Sequence, residues 1–320
     1  MSEARKKIVV IGGGHGQSAI CRGIKNIEDV DITAIVTVAD DGGSTGRLRR
    51  KFHIPAMGDI RNVMIALSPS ETLLGNLMDY RFEDPDGSEA DVQGHNLGNL
   101  ILTALTQQTG SFMEAIQTIG KVLNVRGNII PATTEVISLY ALMDDGVIVK
   151  GEANIPDVCN HIRKVFYQNT VKAVPEAVQA ILEADLIIYG IGSVYTSILP
   201  NIIIPEIREA LEQTGALRVY FCNAMTQPGE TDGYNVEDHV QALLDHGAPV
   251  DAVLAANDSL PPAVVKKYAR QGSTPVTVTK QEHPYRIISR SLLTFDSDLI
   301  RHDPVKIRRA VEYLEEEKRD

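Results

Sequence analysis

A chain of 320 residues with 31 Lys plus Arg against 42 Asp plus Glu carries a formal net charge of −11, which opposes a broad nucleic-acid footprint because phosphate binding needs clustered positive charge. Three widely spaced cysteines, Cys21, Cys159 and Cys222, read as reduced core residues rather than a disulfide framework or metal knuckle. No apolar run approaches the roughly 20 residues that span a bilayer, and the N-terminus lacks an apolar leader, so a cytoplasmic protein without a membrane span is expected.

Residues 6 to 11, KKIVVI, form the continuous apolar run of a strand covered on both faces in a parallel sheet. Gly12-Gly13-Gly14-His15-Gly16 follows, then helical spacing at Ile20, Ile24 and Ile27, then a second strand, DITAIVTVAD, at 31 to 40. This predicts a β-α-β unit over 6–40, with ligands gathering beyond the carboxyl ends of its strands. Glycines there let the backbone approach a phosphate, and the helix start offers unpaired N–H groups. The dinucleotide fingerprint needs glycine where Gln17 stands, which disfavours an NAD-dependent oxidoreductase.

The second strand runs into Asp40, Asp41, Gly42, Gly43, Ser44 and Thr45. Asp40 alone would suit a ribose 2′-hydroxyl, whereas paired carboxylates in a glycine loop suit Mg²⁺ shared with substrate phosphates. Asp59 opens the next helix, where it either caps the N-terminus or ligates the same ion. Arg47, Arg49, Arg50 and Lys51 read as a solvated helix turn or as holders of a small anion.

Helical patterns follow at 57–69, around ETLLGNLMDYRF, at 95–110 and at 111–123. Short strands then extend to Gln168, with Asp144-Asp145-Gly146 as a hairpin turn. From 172 to about 300 helices and strands alternate: VPEAVQAILEA, DLIIYGIGS, the helix SILPNIIIPEIREALEQTG, LRVYFCNAM, VEDHVQALLDHG, DAVLAAND, PPAVVKKYARQG and the strand TPVTVT. A final amphipathic helix occupies 304–318. The expected fold is a Rossmann-like three-layer α/β domain over 1–320, with a mostly parallel central sheet and a helical and hairpin insertion at about 57–168.

Two later strand exits carry polar loops: Gly190, Gly192, Ser193, Tyr195 and Thr196 in GIGSVYTS, and Asn223, Thr226, Gln227, Glu230, Thr231 and Asp232 in NAMTQPGETDGYNV. Polar loops shaped by Gly and Pro at strand exits fit hydrogen bonding to a ligand. His15, His53 and His95 lack the sequence spacing of a Ser or Cys triad, so no catalytic residue is assigned.

In order, GGGHGQS, DDGGSTG, GDIRN, GHNLGNL, GNIIPAT, GIGSVYTSILPN and NAMTQPGETDGY resemble the gluconeogenesis factor family, the bacterial branch of the 2-phospho-L-lactate transferase (CofD-like) superfamily, over residues 6 to about 300. The common form of the first motif has threonine at the position of His15 and leucine at that of Gln17. The resemblance implies a UDP-sugar ligand of the UDP-N-acetylglucosamine type and a cytoplasmic role in cell shape and envelope synthesis during growth on gluconeogenic carbon. In the transferase branch it implies a Mg²⁺-dependent enzyme that moves phospholactyl from a guanosine diphosphate-linked donor to a deazaflavin alcohol, its metal aspartates falling on Asp41 and Asp59.

The reading is therefore a regulatory nucleotide-sugar-binding protein, its diphosphate lying across Gly12–Gly16 and Gly190–Ser193 and its uridine or sugar held by the 223–232 loop. A Mg²⁺-dependent transferase of phosphorus-containing groups is the alternative. A homo-oligomer with a protein partner in envelope synthesis is the expected assembly.

Overall fold

The computed structural model describes residues 5–69, 73–83, 92–158, 160–280, 282–296 and 299–317; Cys159 and the last residue of the expected terminal helix lie outside them. Cys21 and Cys222 are free thiols in the core, where burial pushes both up to about 12.

The apolar run becomes strand β1 (Lys6–Gly12), whose last five residues are buried. Helix α1 (Gly14–Ile24) starts at once, with Ile20 and Ile24 turned into the core. Strand β2 (Val30–Val36) returns parallel to β1, Ile8 opposite Ile32 and Gly12 opposite Val36. Helices α2 (Gly43–Phe52), α3 (Gly58–Leu67), α4 (Leu73–Asp79), α5 (Leu97–Thr109) and α6 (Phe112–Val122) follow. Left-handed Gly110 ends α5 and the Ser111 hydroxyl, accepting from Glu114 N–H, starts α6, so one residue pair turns the chain.

Strand β3 (Asn128–Pro131) pairs parallel with β2. The GNIIPAT stretch thus belongs to the edge of the main sheet rather than to the hairpin region. Strands β4 (Leu139–Met143), β5 (Ile148–Lys150) and β6 (Ile162–Tyr167) make a separate antiparallel sheet, with the Asp144-Asp145-Gly146 turn joining β4 to β5 as expected.

The second series runs α7 (Pro175–Leu182), β7 (Leu186–Tyr189), a π turn at Val194–Ile198, α8 (Leu199–Ile202), α9 (Pro205–Gln213), β8 (Leu217–Phe221), α10 (Val236–Asp245), β9 (Ala252–Ala256), α11 (Pro262–Ala269) and β10 (Arg286–Arg290). The β11 (Leu293–Thr294) and β12 (Arg301–His302) ribbon and α12 (Pro304–Glu317) close the chain. Two sequence expectations change here. The single helix expected from Ser197 to Gly215 is broken: Pro200 and Pro205 sit in the first turns of α8 and α9, and Ile204 before Pro205 is extended, as the residue before a proline is pushed to be. TPVTVT is not a sheet strand. It lies against the loop after β8 through Thr226 N–H to Thr274 O (2.7 Å) and Val276 N–H to Ala224 O (3.0 Å), and β10 takes the place in the sheet.

The seven-stranded sheet has the order β10-β9-β8-β7-β1-β2-β3 with every neighbouring pair parallel. From β1 the chain steps outward to β3, returns to β7 on the other flank of β1, and steps outward again to β10. Right-handed crossovers in opposite directions put α1 and α9 on opposite faces. The strand order reverses between β1 and β7, and at such a point the exit loops diverge and leave a crevice for a ligand.

Candidate functional site

The two glycine turns meet at this crevice. Ile11 at the end of β1 lies opposite Tyr189 at the end of β7. A Cβ on Gly16 would sit 2.9 Å from Gly192 N and closer still to the Ile191 carbonyl, and one on Gly192 would lie 3.6 Å from Gly13 O. Asn201, fully buried, donates to Gly12 O (3.1 Å). Asn223, beyond β8, grips the backbone of Gly192 from both sides: Nδ2 donates to its O (2.9 Å) and Oδ1 accepts from its N–H (3.3 Å). Gln17 is also buried, and its Nε2 donates to Val10 O and Ile35 O (2.9 Å each). That bond to both strands beneath the turn requires a side chain where the dinucleotide fingerprint has glycine.

The rest of the two polar loops divides between shaping and facing. Glu230 is 2% exposed and accepts from the Ser193 hydroxyl, from Thr196 Oγ1 (3.0 Å) and from Gln227 Nε2 (2.6 Å). These four form a buried knot; burial raises the Glu230 carboxyl while the Ser193 and Thr196 hydroxyls pull it back. Tyr195 turns inward, its hydroxyl 2.8 Å from that of Tyr234. Thr226 bonds the 274 stretch, Thr231 Oγ1 accepts from Gln227 N–H (2.8 Å), and Asp232 accepts from Gly229 N–H (2.7 Å). Most of the loop polarity thus holds the loop itself in place.

On the β2 side, four helix starts converge. A Cβ on Gly13, the residue before α1, would press on Asp59 Oδ2 of α3 (2.6 Å), and one on Gly58 would press on Thr45 Oγ1 of α2 (2.8 Å) and Asp40 Oδ2 (3.1 Å). Ser44 of α2 meets His95, just before α5, with Oγ to Nδ1 2.9 Å. The N-cap residues Gly13, Gly42, Met57 and Asn96 make no side-chain cap. Each helix start carries backbone N–H groups without intrahelical partners and the positive end of a dipole, so the group of four favours an anion.

Carboxylates face these helix starts. Asp59 is pushed up to about 7, first by burial and then by the charge of Asp40, with Gly14 N–H pulling it down. Its carboxyl therefore serves the start of the neighbouring α1 rather than capping its own helix. Asp40 is raised by burial against the pull of Gly42 N–H and the Thr45 hydroxyl. Glu152, in the short helical turn after β5, rises to about 8 through burial and then the charges of Asp40, Glu230, Asp59 and Asp41. Asp41 Oδ1 accepts from Ala153 N–H (3.0 Å), and the charge that raises Asp59 is that of Asp40. Among the described residues no three His, Cys, Asp or Glu side chains form a metal-holding group. A facing pair of carboxylates completed by ligand phosphates is nevertheless the donor set Mg²⁺ uses, and Asp40 with Asp59 fits it.

Of the basic run, Arg49 is buried and donates to the carbonyls of Ala39, Asp40 and Ile137, while Arg47 donates to Gln93 O (2.6 Å). His15 is exposed at the start of α1, and His53 caps α2 in a left-handed conformation. Sequence reasoning missed Glu152, Asn201 and the Ser44–His95 pair. Asn201 and His95 lie in ILPN and GHNLGNL, but nothing local signals their partners.

A cavity of about 160 Å³ opens beside Asn223, lined by Cys222, Ala256, Asp258 and Val276 among others. A larger cavity, about 1590 Å³, is elsewhere: a groove over the amino ends of β1, β2 and β3, against residues of α6 and α7. It touches none of the strand-exit loops, so size does not mark the site here. Among the described residues no helix is long and apolar enough to cross a membrane.

The model of the family described as 2-phospho-L-lactate transferase CofD matches residues 8–293. The chain belongs to the CofD family. Within that family it is 45% identical over 315 residues to a gluconeogenesis factor of Halalkalibacterium halodurans, covering 96% of each chain. It is 45% identical over 309 residues to the gluconeogenesis factor of Bacillus subtilis, covering 95% of this CofD-family chain and 96% of the relative. A crystal structure of a Bacillus halodurans protein superposes with a TM-score of 0.91 at 45% identity, over 96% of this chain and 99% of that one.

Proposed function

We propose that this CofD-family chain is a cytoplasmic regulatory protein that binds a nucleotide sugar of the UDP-N-acetylglucosamine type, in the manner of a gluconeogenesis factor. The observation that carries the reading is the contact of Gly16 with Ile191 and Gly192 across the β1/β7 crevice. Two glycine turns from distant parts of the chain make one concave rim, and four helix starts whose own N-cap residues give no side-chain cap lie beside it. On this reading a diphosphate along that rim receives backbone N–H groups, and the cavity beside Asn223 supports a site for one end of the ligand. Asp40 and Asp59 would hold Mg²⁺ there, with Asp41 on the same loop; bound Mg²⁺ supplies positive charge to the diphosphate. On this reading the protein serves envelope synthesis and cell shape on gluconeogenic carbon sources, as a homo-oligomer acting on a protein partner.

Thermal unfolding with UDP-sugars, GDP and NAD(P), each with and without Mg²⁺, tests it. A ligand at a hundred times its dissociation constant stabilises the fold by about 2.7 kcal/mol. A shift with UDP-sugars is expected; a shift with NAD(P) alone refutes the reading. The second reading, a Mg²⁺-dependent phospho-transferase acting on a nucleoside-diphosphate-linked donor, is favoured by the Asp40–Asp59 pair. It requires nucleoside monophosphate release that Asp40→Asn and Asp59→Asn abolish, and no release with any alcohol acceptor counts against it.

A further inference from the structure

We propose that Ser44 is a nucleophile, with His95 as its base, for phosphoryl transfer from a phosphate ester or anhydride. The two residues are 51 apart in sequence, yet Ser44 Oγ lies 2.9 Å from His95 Nδ1. Asn99 Nδ2 donates to the same oxygen (3.2 Å), which leaves the serine proton to point at Nδ1. Asn99 is oriented in turn by Arg61 Nη1 on its Oδ1 (3.3 Å). A nucleophile, a base and an orienting amide in hydrogen-bond sequence is the arrangement nucleophilic catalysis needs.

The surroundings of the histidine favour its neutral form. Burial lowers its protonation range, and so do the positive charges of Arg47 and Lys51 from α2 and of Arg81 after α4. Its loop is fixed by Arg47 on Gln93 O and by Arg81 Nη1 on Gly94 O (2.8 Å). Ser44 is the second residue of α2, and His95 immediately precedes the N-cap of α5. Negative charge developing on a transferred phosphoryl group would therefore arise beside two uncapped helix starts.

The step balances within these groups. A bond forms from Ser44 Oγ to phosphorus as the serine proton passes to His95 Nδ1. The phosphorus–oxygen bond to the leaving group breaks, and that oxygen collects the proton from His95. His95 then takes a proton from water, whose oxygen bonds to phosphorus; the Ser44 Oγ–phosphorus bond breaks, Oγ takes the proton back from His95, and inorganic phosphate or a phosphate monoester leaves. The proposal holds whichever nucleotide the crevice binds.

The test is reaction of the full chain with a fluorophosphonate, in which the Ser44–phosphorus bond replaces phosphorus–fluorine and fluoride departs. Peptide mass mapping should place the adduct on Ser44 and find none in Ser44→Ala. His95→Gln keeps an acceptor for the serine proton but cannot carry that proton away, so labelling should slow at least about a hundredfold. In the unmodified protein the labelling rate should hold through neutral pH and fall only below the usual histidine range. This arm needs no variant, and a purely structural Ser–His bond would not produce it. An unlabelled Ser44, a rate unchanged in His95→Gln, or a rate without that acid limb would overturn the proposal.

Discussion

Gly16→Ala probes the junction on which the site depends. Gly16 has an ordinary backbone conformation, so the added methyl costs nothing in φ; its whole effect is contact with the Ile191 carbonyl and Gly192 N at 2.9 Å. Backbone atoms cannot rotate away as a side-chain tip can, and the Ile191 carbonyl is closer still, so the two turns must part by about an ångström. Overpacking of this kind costs about 1–3 kcal/mol. At roughly 2.1 cal/mol/K per residue, the chain's unfolding entropy is about 0.7 kcal/mol/K, which converts that loss to about 2–4 °C in Tm. The ligand arm is sharper: a UDP-sugar that raises Tm in the parent should give a shift reduced by more than half, because the rim it spans has widened. Gly120→Ala is the control, since nothing lies within 4 Å of a Cβ there and a helical Gly-to-Ala exchange should gain about 0.5–1 kcal/mol. Differential scanning fluorimetry of the three proteins with and without ligand decides it. If Gly16→Ala keeps both the parental Tm and the full ligand shift, the close approach of the turns is not what builds the site.

Three further outcomes are expected. The Asp59 and Glu152 carboxyls titrate at about 7 and about 8 in the fold against ordinary values of 3.8 and 4.5, so the folded chain holds protons that the unfolded chain has released and stability falls as pH rises between those ranges; urea midpoints across pH 5 to 9 should show the fall, and Asp59→Asn should flatten it. Glu230→Ala leaves the Ser193, Thr196 and Gln227 donors without their shared acceptor, which should cost about 1–3 kcal/mol and abolish the ligand shift; an unchanged urea midpoint would deny the knot its role. His246 Nε2 accepts from Val165 N–H (3.0 Å) and so ties α10 to the small sheet. Burial lowers its titration, so this contribution is lost as pH falls below 6.5, and His246→Ala should remove that acid limb from the stability profile and raise amide exchange in β6.

The elements were legible wherever apolar spacing was dense. KKIVVI and DITAIVTVAD became adjacent strands because fully buried parallel strands leave an unbroken run of Val and Ile. TPVTVT misled because alternation of Val and Thr reports only a half-covered extended chain; Pro275 lacks a donor, and the segment found a loop rather than a strand as its neighbour. The glycine turns could be named from sequence, but their meeting depends on β7 returning beside β1, which no local pattern encodes. The same limit hid Glu152 in the short helical turn after β5, the bond between Ser44 and His95, and the charge that Asp40 rather than Asp41 imposes on Asp59. Loop polarity gave no hint of its partners: Glu230 accepts from Ser193 and Thr196 of the other loop, Thr226 bonds the 274 stretch, and Asp232 bonds within its own loop.

The gathering of helix beginnings around Asp40, Asp59 and Glu152 makes this corner of the molecule electrically adaptable. With the acids neutral it should welcome a bare phosphate; with them ionised it should accept phosphate only when a cation arrives as its escort. Acidity and divalent-ion supply would then act as interchangeable dials on occupancy, without any part of the backbone having to move.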